Sequence, residues 1–344
     1  MMGEDMKKRD SKYESLRLIA MLFIVLCHYS ANVRWNNTTN VQKMMHEQFI
    51  PLGQIGVYLF VLISAYFLSQ RRTNLKKSIN RVVPLWIKTI FYSWLFIGLN
   101  LIFKFKPIKL SDLLISAFPV SLNNYWFMTC FILLMLLLPV LNWMIQELDK
   151  KDLQFYLCLL ILFTAIIPII KTNNAPFGGP WSTSMLGIVY LLGGYIKKYK
   201  VNLKIYFSVL MITIGLIGEY ASMFLLKNND SSDALHSMTR FSYGIFPLLV
   251  ALGIFILVLK SKSFYNPTIN FLATNVLAAY LITDNVFFKD FLWNKLLHLN
   301  SYGNSYIQYT VAGVLVAIIL VIVCCLVDKI YDCIFKRIRS SLKR

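Results

Sequence analysis

The chain has 344 residues, of which 57% are hydrophobic and only 15% are charged. Soluble globular proteins contain about 45–50% apolar and about 25% charged residues. No polar stretch is long enough to form a separate soluble domain. The composition therefore excludes an ordinary soluble enzyme. It predicts one integral-membrane domain over residues 1–344, with basic tails at 1–14 and 329–344.

The formal net charge of +19 raises the question of a nucleic-acid partner. Most of the 35 Lys and Arg residues, however, fall in the tails and in alternate short loops between apolar runs. That alternation is the positive-inside pattern of membrane proteins. We therefore expect the lipid bilayer as the partner and no nucleic acid, with both termini in the cytoplasm.

Apolar runs long enough to cross ~30 Å of hydrocarbon predict an all-α polytopic membrane protein with about ten transmembrane helices. The predicted spans are 15–33, 51–69, 82–103, 125–146, 153–170, 184–196, 203–226, 241–260, 267–288 and 306–328. The six cysteines have no zinc-ligand spacing, so we expect buried structural thiols and no metal site.

The first span is mostly apolar, yet it contains Glu14, Arg17 and His28. Ionisable groups in membrane helices usually face a protein interior or a cavity. Arg17 and His28 are ~16 Å apart along the helix and only ~20° apart around it, and Glu14 precedes Arg17 by about one turn. This spacing places a cation and a titratable imidazole on one face of the helix, where they could act as a functional pair. The alternatives are a snorkelling arginine and a histidine used only in packing.

Further patterns follow in the second, third, fourth and ninth spans. They are Gly56-Val57 with Leu59, Phe60, Ser64 and Tyr66; then Arg71, Arg72 and Arg81-Val-Val-Pro84-Leu-Trp86; then Asn124-Tyr125-Trp126-Phe127; and finally Tyr280-Leu281-Ile282-Thr283-Asp284. Helix packing, positive-inside charge and interfacial aromatic residues are the alternative explanations of these patterns. We expect Lys88 to extend its amine back to the headgroups and Glu14 to lie in water at the interface.

Together these residues resemble the membrane-bound acyltransferase-3 family, in the bacterial glycan O-acetyltransferase type. The run Leu16-Arg17, a ten-residue apolar gap and His28 resembles the first-helix signature of that family. Two departures stand out, because Ala65 replaces the usual Gly after Ser64 and Thr283 replaces the His of a Tyr-Leu-Ile-His element. Thr283 weakens any role for a second histidine.

The resemblance implies transfer of an acetyl group from cytoplasmic acetyl-CoA to a hydroxyl of a cell-envelope or extracellular polysaccharide, or its precursor. Acetyl-CoA is then a co-substrate, no cofactor is permanently bound, and the location is the bacterial plasma membrane. Many members carry a C-terminal esterase-like domain, whereas we expect a stand-alone member here. The alternatives are a transporter or flippase with Arg17, His28, Glu219 and Asp284 along its path, and a non-catalytic scaffold.

Site roles follow from the resemblance and from the chemistry of each side chain. His28 and Arg17 are the catalytic candidates, with His28 acting as general base or carrying the acyl group covalently. The donor-binding candidates are Arg71, Arg72, Arg81 and Trp86, because arginine forks suit phosphates. The supporting candidates are Glu14, Ser64, Trp126, Tyr280 and Asp284.

Overall fold

The computed structural model describes residues 9–35, 39–170, 179, 181–225 and 244–341. The described residues form fifteen α-helices, with π-helical turns at Leu162–Ile166 and Phe291–Leu296 and a 3₁₀ helix at Leu299–Asn304. The α-helices are α1 Ser11–Asn32, α2 Asn40–Glu47, α3 Ile50–Leu68, α4 Leu75–Phe103, α5 Leu110–Ala117, α6 Trp126–Leu136, α7 Leu138–Glu147, α8 Lys150–Ile161, α9 Ile167–Ile170, α10 Thr183–Lys198, α11 Ile205–Leu225, α12 Ile245–Lys260, α13 Pro267–Thr274, α14 Leu277–Thr283 and α15 Tyr306–Ser341. Residues 226 and 241–243 of the predicted spans lie outside the described residues.

Four helical segments of the described chain are long and apolar enough to cross a membrane. They are α1, Val41–Leu68, α4 and Tyr306–Phe335, and the bent pair of α6 and α7 makes a fifth. Ile205–Ala221 and Ile245–Lys260 are shorter apolar helices. The all-α fold is confirmed and is consistent with a polytopic membrane protein, while the number of ten spans stays a prediction.

Polar side chains define where several of these helices begin. The capping residues are Asp10 before α1, Asn74 before α4, Asp149 before α8, Ser182 before α10 and Asn266 before α13. Each accepts a hydrogen bond from a backbone N–H of the first turn, which otherwise has no partner. These caps place four of the helix starts close to the predicted span boundaries, whereas α4 begins at Leu75, well before the predicted boundary at 82.

Two predicted spans are not continuous helices. The fourth, at 125–146, bends by 56° between α6 and α7. Pro139 has no N–H and its ring clashes with the carbonyl of the preceding turn, which kinks a helix. The ninth, at 267–288, breaks at Asn275, whose amide donates to the Phe271 carbonyl (2.9 Å) in competition with the backbone, and its helix ends at Thr283.

The centre of the bundle is formed by close packing of α1, α3 and α10. A methyl group at Gly56 of α3 would clash with the Ala20 carbonyl of α1, and one at Gly193 of α10 would lie 2.6 Å from the Ala65 Cβ. Ala65 therefore fits because the facing helix supplies a glycine, and the close packing expected of this small residue is present.

The outer helices α4 and α15 carry a belt of exposed apolar side chains. Its most exposed members are Ile102, Phe103, Ile307 and Ile330, at 62–72% exposure. A surface of this kind is suited to lipid rather than to water.

The expectation that the cysteines are buried holds only in part. Cys158 and Cys333 are exposed, whereas Cys130, Cys324 and Cys325 are buried.

The start of α1 is hydrogen-bonded to the end of α12, and the ends of α3, α7 and α10 are hydrogen-bonded to one another. The Lys12 amine donates to the Leu259 carbonyl (3.3 Å), the Gln146 amide to the Ser69 carbonyl (3.1 Å), and the Lys198 amine to the Gln146 carbonyl (3.1 Å). We call this region, defined by Lys12, Ser69, Gln146, Lys198 and Leu259, the basic end. The C-terminal end of α1 lies at the opposite end, where Asn294 donates to its last residue.

Lys88 does not extend to the headgroups as expected. Its amine lies 2.7 Å from a carboxylate oxygen of Asp328 in α15, and that carboxylate is fully buried. The Tyr92 hydroxyl donates to the other oxygen of Asp328 (2.9 Å), and the Lys88 amine also lies 4.9 Å from the ring centre of Tyr331. The prediction failed because a buried carboxylate on a distant helix satisfies the amine inside the bundle.

Candidate functional site

The first part of the site is an ion pair in the first turns of α1. Arg17 Nη1 lies 2.7 Å and 2.8 Å from the two carboxylate oxygens of Glu14. The Glu14 side chain is only 7% exposed and that of Arg17 is 28% exposed. The expectation that Glu14 lies in water is wrong, because the bundle already packs around α1 at this level.

Arg17 keeps unused hydrogen-bonding capacity. A guanidinium carries five N–H donors, and among the described residues Arg17 bonds only to Glu14, through Nη1. Its partial exposure leaves the remaining donors accessible. The carboxylate thus holds the guanidinium in place while part of the fork remains available to an anion.

The second part of the site lies further along α1, where His28 meets α14. His28 Nδ1 is 2.8 Å from Thr283 Oγ1, and the Thr283 hydroxyl donates to the Ala279 carbonyl (2.6 Å). The uninterrupted helix from Ser11 to Asn32 keeps the predicted spacing of ~16 Å from Arg17. Sequence reasoning treated Thr283 only as a departure, although a hydroxyl in that motif was the available signal.

Tyr280, one of the supporting candidates, packs beside the histidine. Its ring centre lies 5.8 Å from that of His28, 5.9 Å from that of Tyr125 and 5.7 Å from that of Phe127. Tyr280 is 2% exposed. The imidazole therefore has an aromatic wall on the side of α14 and α6.

Asp284 follows Thr283 and ends α14. Its carboxylate forms an ion pair with Lys289 (3.1 Å), with side-chain exposures of 19% and 37%. Asp284 is close enough to act electrostatically on His28. It is thus a partly solvated group next to the histidine and already has a cation as its partner.

The predicted donor-binding residues separate into two groups. Arg81 Nη1 donates to Thr73 (3.0 Å), and the Asn142 amide donates to the Arg71 carbonyl (2.9 Å), which orders the connection between α3 and α4. Arg71 and Arg72 are exposed there. Trp86 lies on α4 and its side chain is 45% exposed.

A cavity of about 380 Å³ at the basic end was not predicted from the sequence. It is lined by Tyr66, Ile196, Lys197, Lys200, Val201, Asn202, Ile256, Leu259 and Lys260. The Lys197 amine lies 4.2 Å from the ring centre of Tyr66, and the Lys260 amine donates to Asn202 (2.7 Å). Tyr66 in turn stacks on Tyr13, one turn before Arg17. The lining suits an anion, but its lysines come from separate helix ends and share no motif.

The remaining candidate residues lie away from His28 in sequence and contact their own neighbours. The Ser64 hydroxyl donates to the Phe60 carbonyl of its own helix (2.9 Å), and Trp126 lies 6.4 Å from Trp181 between ring centres. Glu219 is fully buried in α11 and interacts electrostatically with Tyr58 of α3. Within the part of the chain that the structure describes, His, Cys, Asp and Glu form no metal-binding cluster.

The fold and the site define an integral-membrane helical protein with an accessible arginine and a histidine on one central helix. Residues 11–327 match the family model described as the acyltransferase domain of the acyltransferase-3 family, so the chain belongs to that family and is an acyltransferase. The predicted resemblance is confirmed. Neither the comparison with curated proteins nor that with solved structures finds a match.

Proposed function

We propose that the protein transfers an acetyl group from cytoplasmic acetyl-CoA to a hydroxyl of a cell-envelope polysaccharide or its precursor. The observation that carries the proposal is the partly buried contact between His28 and Thr283, with His28 on the same helix as an accessible arginine, in a member of an acyltransferase family. The family supplies acyl transfer. The acetyl group, the donor and the glycan acceptor are the proposed part.

The proposed topology has ten spans with both termini in the cytoplasm of a bacterial plasma membrane. Basic side chains gather where α1 begins and where α3, α10 and α12 end. Cytoplasmic loops are the ones that carry an excess of Lys and Arg, which supports the basic end as the cytoplasmic side.

The donor requires cations on the cytoplasmic side, since the phosphates of acetyl-CoA cannot enter hydrocarbon cheaply. The unused donors of Arg17, the ordered arginines 71 and 81, and the lysine-lined cavity all lie at the basic end. Of the cations in α1, Arg17 is the nearest to His28, and the two residues are ~16 Å apart along the helix axis. It is therefore suited to the donor's phosphates or pantetheine while the thioester extends towards His28.

His28 supplies the chemistry at the thioester. As a general base it takes the proton of the acceptor hydroxyl while the oxygen attacks the carbonyl carbon. The C–S bond then breaks, and the leaving thiolate takes the proton back from the imidazolium. In the covalent route the imidazole nitrogen attacks first, the thiol leaves, and the acceptor hydroxyl displaces the imidazole. Both routes use the same histidine.

The test compares two histidine substitutions in purified protein. His28→Ala is expected to abolish acetyl transfer from acetyl-CoA to a glycan acceptor while retaining binding of a non-hydrolysable donor analogue. His298→Asn is the matched control, because His298 is exposed and has a left-handed backbone (φ 46°) that Asn tolerates. An active His28→Ala protein would refute the assignment. Movement of a substrate across vesicles without acetylation would favour a transporter.

A further inference from the structure

We propose that Thr283 is a positioning residue that fixes the tautomer of His28, so that Nδ1 carries the proton and Nε2 is the reacting atom. This inference rests on the proposed function and assigns the atom that performs it. It also assigns a role to Thr283, which replaces the histidine that the family usually has at this position.

The tautomer follows from counting protons around one oxygen. A threonine hydroxyl has one proton to donate and two lone pairs. Thr283 Oγ1 lies 2.6 Å from the Ala279 carbonyl oxygen, which can only accept. The hydroxyl proton is therefore used in that bond, an ordinary i−4 bond of threonine in helices.

The remaining contact must then be donated by the histidine. Thr283 Oγ1 offers only a lone pair to His28 Nδ1 at 2.8 Å. The opposite tautomer would place two lone pairs face to face at that distance. A neutral His28 thus has its proton on Nδ1 and a free electron pair on Nε2, as a base or nucleophile requires.

The backbones of Thr283 and His28 are each fixed by a hydrogen bond from another side chain. Trp293 Nε1 donates to the Thr283 carbonyl (3.1 Å), and the Asn32 amide donates to the His28 carbonyl (3.0 Å). Thr283 is fully buried, and its β-branched side chain restricts rotation about χ1. The hydroxyl is therefore presented to the imidazole in one orientation.

The ion pair of Asp284 and Lys289, which lies next to the site, does not replace the hydrogen bond between Thr283 and His28. Asp284 is bound to Lys289 and is partly exposed, so its carboxylate is shared with another cation and with water. The Thr283 hydroxyl is the side-chain hydrogen-bond partner that the described residues provide for the His28 ring. Orientation of the imidazole hence depends on position 283.

The experiment compares Thr283→Val with Thr283→Ser. Valine matches the shape of threonine but cannot accept a hydrogen bond, whereas serine keeps the acceptor. We expect kcat to fall by about 10–100-fold in the valine variant, with the KM for acetyl-CoA unchanged, by analogy with the partners that orient metal-binding histidines, whose loss has an effect of that size. The serine variant should remain within a few-fold of the parent protein.

The tautomer itself is measured by ¹⁵N NMR of histidine-labelled protein in detergent, with the His28 signals assigned by their loss in His28→Gln. The parent and serine proteins should show a protonated Nδ1 and a bare Nε2, and the valine protein a mixture of tautomers. A protonated Nε2 in the neutral parent protein would overturn the inference, as would an unchanged spectrum in the valine variant. The spectrum needs no substrate, so this failure is distinguishable from failure of the proposed acetyl transfer.

Discussion

Among the residues that the structure describes, two ion pairs contain a buried carboxylate, and they differ in how completely their hydrogen bonds are used. In the pair of Lys88 and Asp328 the carboxylate is fully buried, and Tyr92 bonds its second oxygen. In the pair of Glu14 and Arg17 a single arginine nitrogen contacts both oxygens, and the guanidinium is 28% exposed. The first pair is closed, whereas the second leaves donors for another molecule.

This difference distinguishes a charge pair that joins two helices from the pair that we propose to bind the donor. The closed pair joins α4 to α15 and neutralises charge that neither helix could keep in an apolar setting alone. The open pair lies within one turn of α1 and needs no second helix. Its carboxylate orients a cation that can still bind a phosphate. The two pairs should therefore respond differently to the same kind of substitution.

The largest effect on stability is expected at the closed pair. Lys88→Met leaves the buried Asp328 carboxylate without its closest cation, and removal of one partner of a buried pair costs about 3–5 kcal/mol. The free energy of unfolding in mixed micelles measures this loss. The donor affinity of the folded fraction should not change.

The double variant Lys88→Met with Asp328→Leu is the control for that prediction. Replacing both charges with apolar groups is often nearly neutral, so most of the lost stability should return. Acetyl transfer should persist in the double variant. If the double variant were folded but inactive, Lys88 and Asp328 would belong to the functional machinery and the comparison would fail.

An intermediate effect on stability is expected at the open pair. Arg17→Gln leaves the Glu14 carboxylate 7% exposed and without its cation, which should cost about 1–3 kcal/mol. The loss should be smaller than at the closed pair, because Glu14 lies near the helix start. Donor binding, measured by titration with a non-hydrolysable acetyl-CoA analogue, should weaken strongly.

The double variant Glu14→Gln with Arg17→Gln distinguishes the two contributions. It should recover the stability lost in Arg17→Gln, since no buried charge remains, but it should not recover donor binding. At the closed pair, by contrast, stability should return in the double variant while donor binding is unaffected throughout. Recovery of donor binding in the double variant would show that Arg17 serves only to neutralise Glu14.

The sequence predicted the parts of this comparison that depend on one helix. Apolar length and charge placement gave the helical membrane fold, and the spacing of Glu14, Arg17 and His28 gave their shared region of α1, since helix geometry is fixed by local rules. The kink at Pro139 has a local cause as well and could have been anticipated.

The parts that depend on tertiary packing could not be predicted. Asp328 lies 240 positions from Lys88 and Thr283 lies 255 positions from His28, so no spacing rule connects them. The lysine-lined cavity likewise combines the ends of α3, α10 and α12. For the same reason the burial of Glu14 was missed, because it results from neighbours that a single-helix argument does not include.

The smallest effect is expected at an exposed pair near the opposite end of α1. Arg34 Nη2 lies 2.7 Å from Asp290, but the two side chains are 77% and 39% exposed. Exposed pairs contribute at most about 1 kcal/mol, and the Arg34 backbone N–H is held separately by Asn294 (2.7 Å). Arg34→Gln should therefore change the free energy of unfolding by less than about 1 kcal/mol, and raised salt should remove the difference because it screens exposed charges.

Asn294→Ala is the matched comparison for this exposed pair. It removes the bond from the Arg34 backbone N–H and the bond to the Asn32 carbonyl, so it should lower the free energy of unfolding by more than Arg34→Gln does. If Arg34→Gln lowered the free energy of unfolding as much as Lys88→Met, the contribution of an ion pair to stability would depend on the short distance between the charges. It would then not depend on their burial or on how completely their hydrogen bonds are used.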